Sequence, residues 1–193
     1  MSEAVSNVLI DNWSRKRSST LDWLEIASFA LLSAVLAQLR VPLPFTPVPI
    51  TGQTLGVLLA GAVLGARRGF LSQALYLALG AAGLPVFAGG SLMGPTAGYL
   101  WSFPAAAFLL GWMVERGAIR RTWSLASALL VADICVLAAG VLWLSLVPKV
   151  SIHEALLLGF MPFWAGEILK IIALALVLPT ILRRSRRPLP PSN

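Results

Sequence analysis

The chain has 193 residues, of which 58% are hydrophobic and only 12% are charged, and its mean hydropathy is +0.82. A soluble domain carries roughly a quarter charged residues, so this composition argues against a soluble globule. The net charge is +7, but the cations stand in short clusters between long apolar runs. That distribution favours a role in membrane orientation over nucleic-acid binding.

An apolar helix needs roughly 20 residues to cross the hydrocarbon layer. A chain of this length therefore has room for about six such spans with their connections, and six are predicted. In chain order they are Leu21–Leu39, Gly52–Leu64, Phe70–Ala82, Thr96–Met113, Trp123–Val147 and His153–Leu182, the last with a break near Pro162. Residues 1–20 precede this membrane domain of residues 21–182, and residues 183–193 form a basic tail. The predicted fold class is an all-α integral membrane protein, a compact bundle of six transmembrane helices.

Three segments between the first four spans have distinct compositions. Val41–Thr51 carries prolines at 42, 44, 47 and 49, and since proline lacks an amide hydrogen and favours extended geometry, we expect an extended loop. This loop is apolar, so it should lie against protein or dip into the sheltered interior of the membrane domain, because irregular backbone facing lipid is too costly. Arg67 and Arg68 are predicted to form a cationic turn, and Gly83–Pro95 is a second loop without charges.

The cations are distributed unequally between the two sides of such a bundle. One side, which holds both termini, has twelve of them: Arg15, Lys16, Arg17, Arg67, Arg68, Arg116, Arg120, Arg121, Arg183, Arg184, Arg186 and Arg187. The other side has only Arg40 and Lys149. Cytoplasmic loops are enriched in Lys and Arg, so we predict a multi-pass protein of the cell membrane with both termini in the cytoplasm.

Three ionisable residues fall inside predicted spans: Asp133, Glu167 and Lys170. Glu167 and Lys170 are three residues apart and share one helix face. They could form a self-neutralising pair, but a buried ion pair rarely repays its desolvation, which favours a ligand-binding role. Lys170 lies 13 residues before Arg183, roughly 20 Å of helix, so the pocket should open to the exterior.

The chemistry of this pair limits the ligands that suit it. A carboxylate accepts hydrogen bonds from N–H groups, and an ammonium donates to a carbonyl or an anion. The matching ligand is a small molecule with amide-like and carboxylate groups on an apolar body. Asp133 could pair with Lys170 and leave Glu167 for the ligand, or stay protonated and pack between helices.

Several catalytic and nucleotide-binding motifs are missing from the sequence. There is no GxxxxGK[ST] phosphate loop, no HExxH, no Cys/His cluster and no GxSxG. We therefore expect that the chain itself does not bind and hydrolyse ATP through a phosphate loop. We also expect no bound metal, no cofactor and no enzyme activity.

Four ordered motifs carry a resemblance to a known family. They are Val41–Thr51 followed by Gln53-Thr54-Leu55-Gly56, the segment Gly83–Gly90, the segment Gly94–Tyr99, and Gly166-Glu167-Ile168-Leu169-Lys170. Together, from Leu32 to Ile172, they resemble the biotin-specific S components (BioY) of energy-coupling factor (ECF) transporters. The sequence departs from the family at two positions, since Glu167 stands where Asp is usual and Ala97 where Gly is usual.

The resemblance implies a six-helix protein that binds biotin from the external side. In this family the partners are a transmembrane T component and ATP-binding subunits. By position, Lys170 and Glu167 would form the polar centre of the biotin site. The expected cavity-lining residues are Thr96, Tyr99, Gln53 and Tyr76, although Thr96 and Tyr99 also suit helix capping and interface anchoring.

Two further expectations concern docking and energy coupling. The pair Ala30 and Ala34 in the first span resembles the small-residue motif by which S components dock on the T component. Alternatively, that face packs inside this protein. A second function class is a self-sufficient proton-coupled vitamin carrier with Asp133 or Glu167 as the titrating group, although no inverted repeat is recognisable.

Overall fold

A computed structural model describes residues 19–146 and 150–184, with side chains up to residue 180. The helices are α1 Ser19–Gln38, α2 Gln53–Leu64, α3 Ala66–Ala81, α4 Ala97–Glu115, α5 Thr122–Leu146, α6 Ile152–Gly159 and α7 Trp164–Arg184. The two strands are β1 Arg40–Val41 and β2 Ile50–Thr51, and a short 3-10 helix covers Ala118–Arg120. The architecture is thus helical, with one small hairpin as its only sheet in the described residues.

Each predicted span coincides with one helix or, for the last span, with a bent pair. Helices α6 and α7 meet at an angle of 51°, and Pro162 stands in the short segment between them, so the predicted break is confirmed. Helices α1, α4 and α5 are long and apolar enough to cross a membrane, and the α6–α7 pair would make a fourth span. Helix α2 is apolar but has only 12 residues.

The start of α3 differs from the sequence prediction. Arg67 and Arg68 do not form a separate turn but lie in the first turn of α3. The chain reverses instead at Gly65, whose φ of 82° falls in the left-handed region that favours glycine. The amide of Ala66 donates to Glu115 Oε1 at 2.8 Å, so a side chain from α4 satisfies a free N–H at the helix start.

Arg68 connects α3 to α1 through two carboxylates. Its Nη1 lies 3.0 Å from Asp22 Oδ1 and 3.2 Å from Glu25 Oε2. The carboxylates that open the first span are therefore neutralised by a cation from the third helix.

Helix α4 is central, since it packs against α2, α3 and α5. Its contact with α2 depends on Gly61, where a Cβ atom would lie 2.6 Å from the carbonyl oxygen of Ala107. Without side-chain atoms at that point the two backbones can approach closely, as small residues allow in membrane helices. Helix α1 covers α2 and α3, and α7 packs against α5.

The small-residue face of α1 is turned into the protein. Ala30 is 0% and Ala34 is 7% exposed, and both belong to the same buried core cluster as Val57 of α2. Ser33 lies against Gly56, where an added Cβ would be 2.7 Å from the serine Oγ. This packing contradicts the expectation that Ala30 and Ala34 present a docking surface, because the close contacts they permit are made within the chain.

The proline-rich segment packs against the helices, but it is extended only at its two ends and turns back between them, so it forms a hairpin instead of the extended loop that was predicted. Strands β1 and β2 pair antiparallel with Arg40 opposite Thr51. Between them Val48 is buried, and Thr46 Oγ1 donates to the carbonyl of Leu158 on α6 at 2.7 Å. The loop is therefore fixed to the end of the bundle where α6 lies.

Some sequence predictions concern residues outside the described ones. They are most of the segment 1–20, the tail beyond residue 184, and the cations Arg15, Lys16, Arg17, Lys149, Arg186 and Arg187. The orientation deduced from these cations stays a prediction.

The close approach of α2 and α4 can be tested by adding one methyl group. Gly61→Ala should lower the free energy of unfolding by about 1–3 kcal/mol, because the Cβ would meet backbone rather than a flexible side chain. The matched control is Gly166→Ala in α7, where no atom of the described residues lies within 4 Å of the added atom. Thermal unfolding in detergent measures both, and equal melting temperatures would contradict this account of the contact.

Candidate functional site

The two charged residues singled out from the sequence form an ion pair near the start of α7. Lys170 Nζ lies 2.8 Å from Glu167 Oε1. The Glu167 residue is 6% exposed, and the Lys170 side chain is 18% exposed. The predicted sharing of one helix face is confirmed, because α7 starts afresh after the bend and places both side chains toward α2.

Two threonines complete what we call the polar cluster: Thr51, Thr54, Glu167 and Lys170. Lys170 Nζ also donates to the carbonyl of Thr51 and to Thr54 Oγ1, both at 2.8 Å. The Thr54 hydroxyl in turn donates to Glu167 Oε2 at 2.8 Å. All three hydrogens of the ammonium therefore have acceptors, and the cluster joins α7 to the start of α2.

Sequence reasoning missed Thr54 as a functional residue. It stands in the quoted motif directly after Gln53, but it is 113 residues from Glu167 and 116 from Lys170. Only the fold brings these residues together. The available signal was its place at the start of a helix beside the proline-rich segment.

Asp133 lies on α5 close to the polar cluster. It is 2% exposed, and the charges of Glu167 and Lys170 both act on it. Its Oδ1 has no hydrogen-bond partner among the described residues. The first alternative from the sequence, in which Asp133 pairs with Lys170 and releases Glu167, is not what the structure shows, because the Lys170 ammonium bonds Glu167 and the two threonines.

An inner cavity of about 50 Å³ borders Glu167. Its polar lining consists of Thr51, Gln53, Thr54, Thr96, Tyr99 and Glu167, and its apolar lining includes Phe87, Leu100, Phe103 and Phe163. Among the described residues, Lys170 is not part of this lining. The ion pair is thus not sealed in packed protein, since its carboxylate half faces a void.

Thr96 and Tyr99 both line the inner cavity, as predicted by position. Thr96 is the N-cap residue of α4, but its side chain makes no capping bond. Its buried Oγ1 has no partner within the described part of the chain. The Tyr99 hydroxyl donates to the Gly159 carbonyl at 2.6 Å, so Tyr99 also fixes the end of α6 against α4.

Gln53 and Tyr76 occupy different positions relative to the cavity. Gln53 lines it, and its Nε2 donates to the Tyr76 hydroxyl at 2.6 Å. Tyr76 stands behind Gln53, outside the lining, and donates its own proton to the Val86 carbonyl at 3.0 Å. The sequence predicted that Tyr76 lines the cavity, and this is corrected by the structure. Tyr76 instead orients Gln53, because its hydroxyl accepts a hydrogen bond from the Gln53 amide.

An outer cavity of about 400 Å³ adjoins the inner one. It lies between the proline-rich hairpin and the segment from Gly83 to Pro95. Residues shared by the linings of both cavities are Pro49, Ala88, Gly90 and Thr96. Arg40 also lines the outer cavity, and sequence reasoning used it only to count charges.

Comparison with known protein families identifies the family of this chain. The model of the BioY family matches residues 11–187. The chain belongs to the BioY family. The matched range includes all four motifs, the polar cluster and the linings of both cavities, so the resemblance seen in the sequence is confirmed.

Curated relatives of this BioY family member are named as biotin transporters. A probable biotin transporter BioY of Pyrococcus horikoshii is 41% identical over 150 residues, covering 75% of this chain and 86% of the relative. The biotin transporter BioY of Rhodobacter capsulatus is 42% identical over 184 residues, covering 86% of this chain and 93% of the relative. A crystal structure of the S-component for biotin from an ECF-type ABC transporter matches with a TM-score of 0.79 and 26% identity, covering 89% of this chain and 96% of the other.

The bridging role of Thr54 can be tested with an isosteric change. Thr54→Val should lower the free energy of unfolding by about 1–3 kcal/mol, because the ammonium and the carboxylate each lose a partner in a buried setting. The control is Ser127→Ala, which removes an exposed hydroxyl that donates to the Trp123 carbonyl of its own helix. Equal melting temperatures of the two variants would show that the hydroxyl is not needed.

Proposed function

We propose that this BioY family member is the substrate-binding membrane subunit of an ECF-type transporter. It captures biotin from the external side and delivers it for ATP-driven uptake through a transmembrane T component and ATP-binding subunits. Family membership and the similarity to a biotin S-component support this proposal. The observation that carries it is the carboxylate of Glu167 on the inner cavity wall, held by Lys170 and Thr54.

The inner cavity offers the groups that the biotin ring system requires. The fused rings present two N–H groups, a carbonyl and a sulfur atom on an apolar skeleton. One oxygen of Glu167 accepts from Thr54 and the other from Lys170, and the Asp133 side chain also hydrogen-bonds this carboxylate. A carboxylate has about four lone-pair sites, so acceptor capacity remains for a ligand N–H. The unpartnered hydroxyl of Thr96 and the amide of Gln53 supply further polar contacts, and phenylalanine side chains cover the apolar skeleton.

Binding requires the inner cavity to widen. Its volume of about 50 Å³ holds a few water molecules, whereas sites for small organic ligands are typically about 300–1,000 Å³. The walls formed by the proline-rich hairpin and the Gly83–Pro95 segment border both cavities. Separation of these two segments would join the inner and outer cavities into one site.

The membrane arrangement is part of the same proposal. Six helical units, with α6 and α7 counted as one, would cross the bilayer and contact its lipids. Both termini would be cytoplasmic and the two cavities would open outward. Helices α2 and α3 are short for this purpose, but both pack against α4, and a bilayer can thin locally around a short span.

Equilibrium binding of labelled biotin to the detergent-purified chain tests the proposed function. The wild-type protein should bind biotin in preference to other vitamins. Lys170→Ala should weaken binding by at least about tenfold, because Glu167 loses its neutralising partner and its fixed position. Arg67→Ala, at an exposed cation outside both cavities, is the control and should bind normally.

Two results would contradict that expectation. A wild-type protein that fails to bind biotin would overturn the function itself. A folded Lys170→Ala variant with wild-type affinity would remove the polar cluster from the site.

A self-sufficient proton-coupled carrier is the second candidate function, because two buried carboxyl groups, Asp133 and Glu167, lie close together. Vesicles that contain this chain alone should not accumulate biotin under an imposed proton gradient. Accumulation should require the T component, the ATP-binding subunits and ATP. Uptake by the chain alone that stops when the gradient is collapsed would support the carrier instead.

A further inference from the structure

Two cations lie near the cavities, but only one of them has free hydrogen-bond donors. The ammonium of Lys170 already donates to the Thr51 carbonyl, Thr54 Oγ1 and Glu167 Oε1. It has only three hydrogens, so a ligand could bind it only by displacing one of these acceptors. Such displacement would leave a buried polar group unpaired, at a cost that a new bond would have to recover.

Arg40 is in the opposite situation. It lines the outer cavity, and its guanidinium has no partner in the part of the chain that the structure describes. The guanidinium extends from β1 to the opposite segment, where a Cβ atom on Gly89 would collide with its Nη1. Glycine suits position 89 for two reasons. Its φ of 77° lies in the left-handed region, and the missing side chain leaves space for the Arg40 guanidinium.

The cavities thus carry charges of opposite sign at their two ends. In the inner lining the charged side chain is Glu167, and in the outer lining it is Arg40. A ligand carboxylate placed in the inner cavity would be repelled by Glu167, whereas in the outer cavity it would be attracted by Arg40. Thr96, which lines both cavities, stands between the two charges.

We infer that Arg40 binds the carboxylate group of the ligand in the outer cavity, so that the hydrogen-bond-donating end of the ligand lies against Glu167. This inference rests on the proposed function and adds the direction in which the ligand is bound. The ligand class is an elongated monocarboxylate with an amide-like head. A guanidinium suits the carboxylate end because it can donate two parallel hydrogen bonds to the two oxygens.

The experiment compares biotin with biotinamide, which keeps the rings and the chain but has no negative charge. Wild-type protein should bind biotin about tenfold more tightly than biotinamide, the size expected for one charge-assisted contact. Arg40→Gln should remove this preference by weakening biotin binding while the affinity for biotinamide stays the same. Arg40→Lys should keep part of the preference, because it retains the charge without the fork of donors.

Arg67→Gln is the matched control, since it removes an exposed cation that lines neither cavity, and it should keep the wild-type preference. Melting temperatures in detergent show that each variant is folded. If Arg40→Gln retains the full preference for biotin, or if only Lys170→Ala removes it, the inference is wrong while the proposed function stands. If the wild-type protein binds neither compound, both are wrong.

Discussion

The ammonium of Lys170 is the group on which the candidate site depends. A buried carboxylate is stable only beside a partner or a polar cavity, and Glu167 has both. Lys170 neutralises it from one side, while the cavity borders the other. Because the same ammonium bonds a carbonyl and a hydroxyl near the start of α2, charge compensation and the attachment of α7 to the bundle are one interaction.

The proline-rich hairpin contributes to this interaction through its backbone. Thr51 ends β2, where its carbonyl has no helical partner and is available to Lys170. The next residues start α2 and bring Gln53 and Thr54 to the cavity. One short stretch of chain therefore supplies a wall of the site, an acceptor for the cation and the hydroxyl that joins cation to carboxylate.

Local features of the sequence were sufficient to place the helices, the proline-rich segment between the first two of them and the common helix face of Glu167 and Lys170, because each depends on neighbours in the chain. The orientation of α1 was not predictable in this way. In a bilayer both the buried and the lipid-facing sides of a helix are apolar, so the sequence does not distinguish the side that holds Ala30 and Ala34. Contacts such as those of Thr54 and Arg68 span 43 or more residues and exist only after the bundle has formed.

The free-energy cost of burying a charge explains why the two cations near the cavities differ in their partners. Charge is most costly deep in a membrane protein and least costly near water, so a deep cation is stable when its own protein supplies its partners, as Lys170 shows. A cation beside the outer cavity, such as the exposed Arg40, can remain without a partner among the described residues because solvent compensates its charge. A site with this distribution can accept an anionic ligand without ever leaving an unpaired charge in its interior.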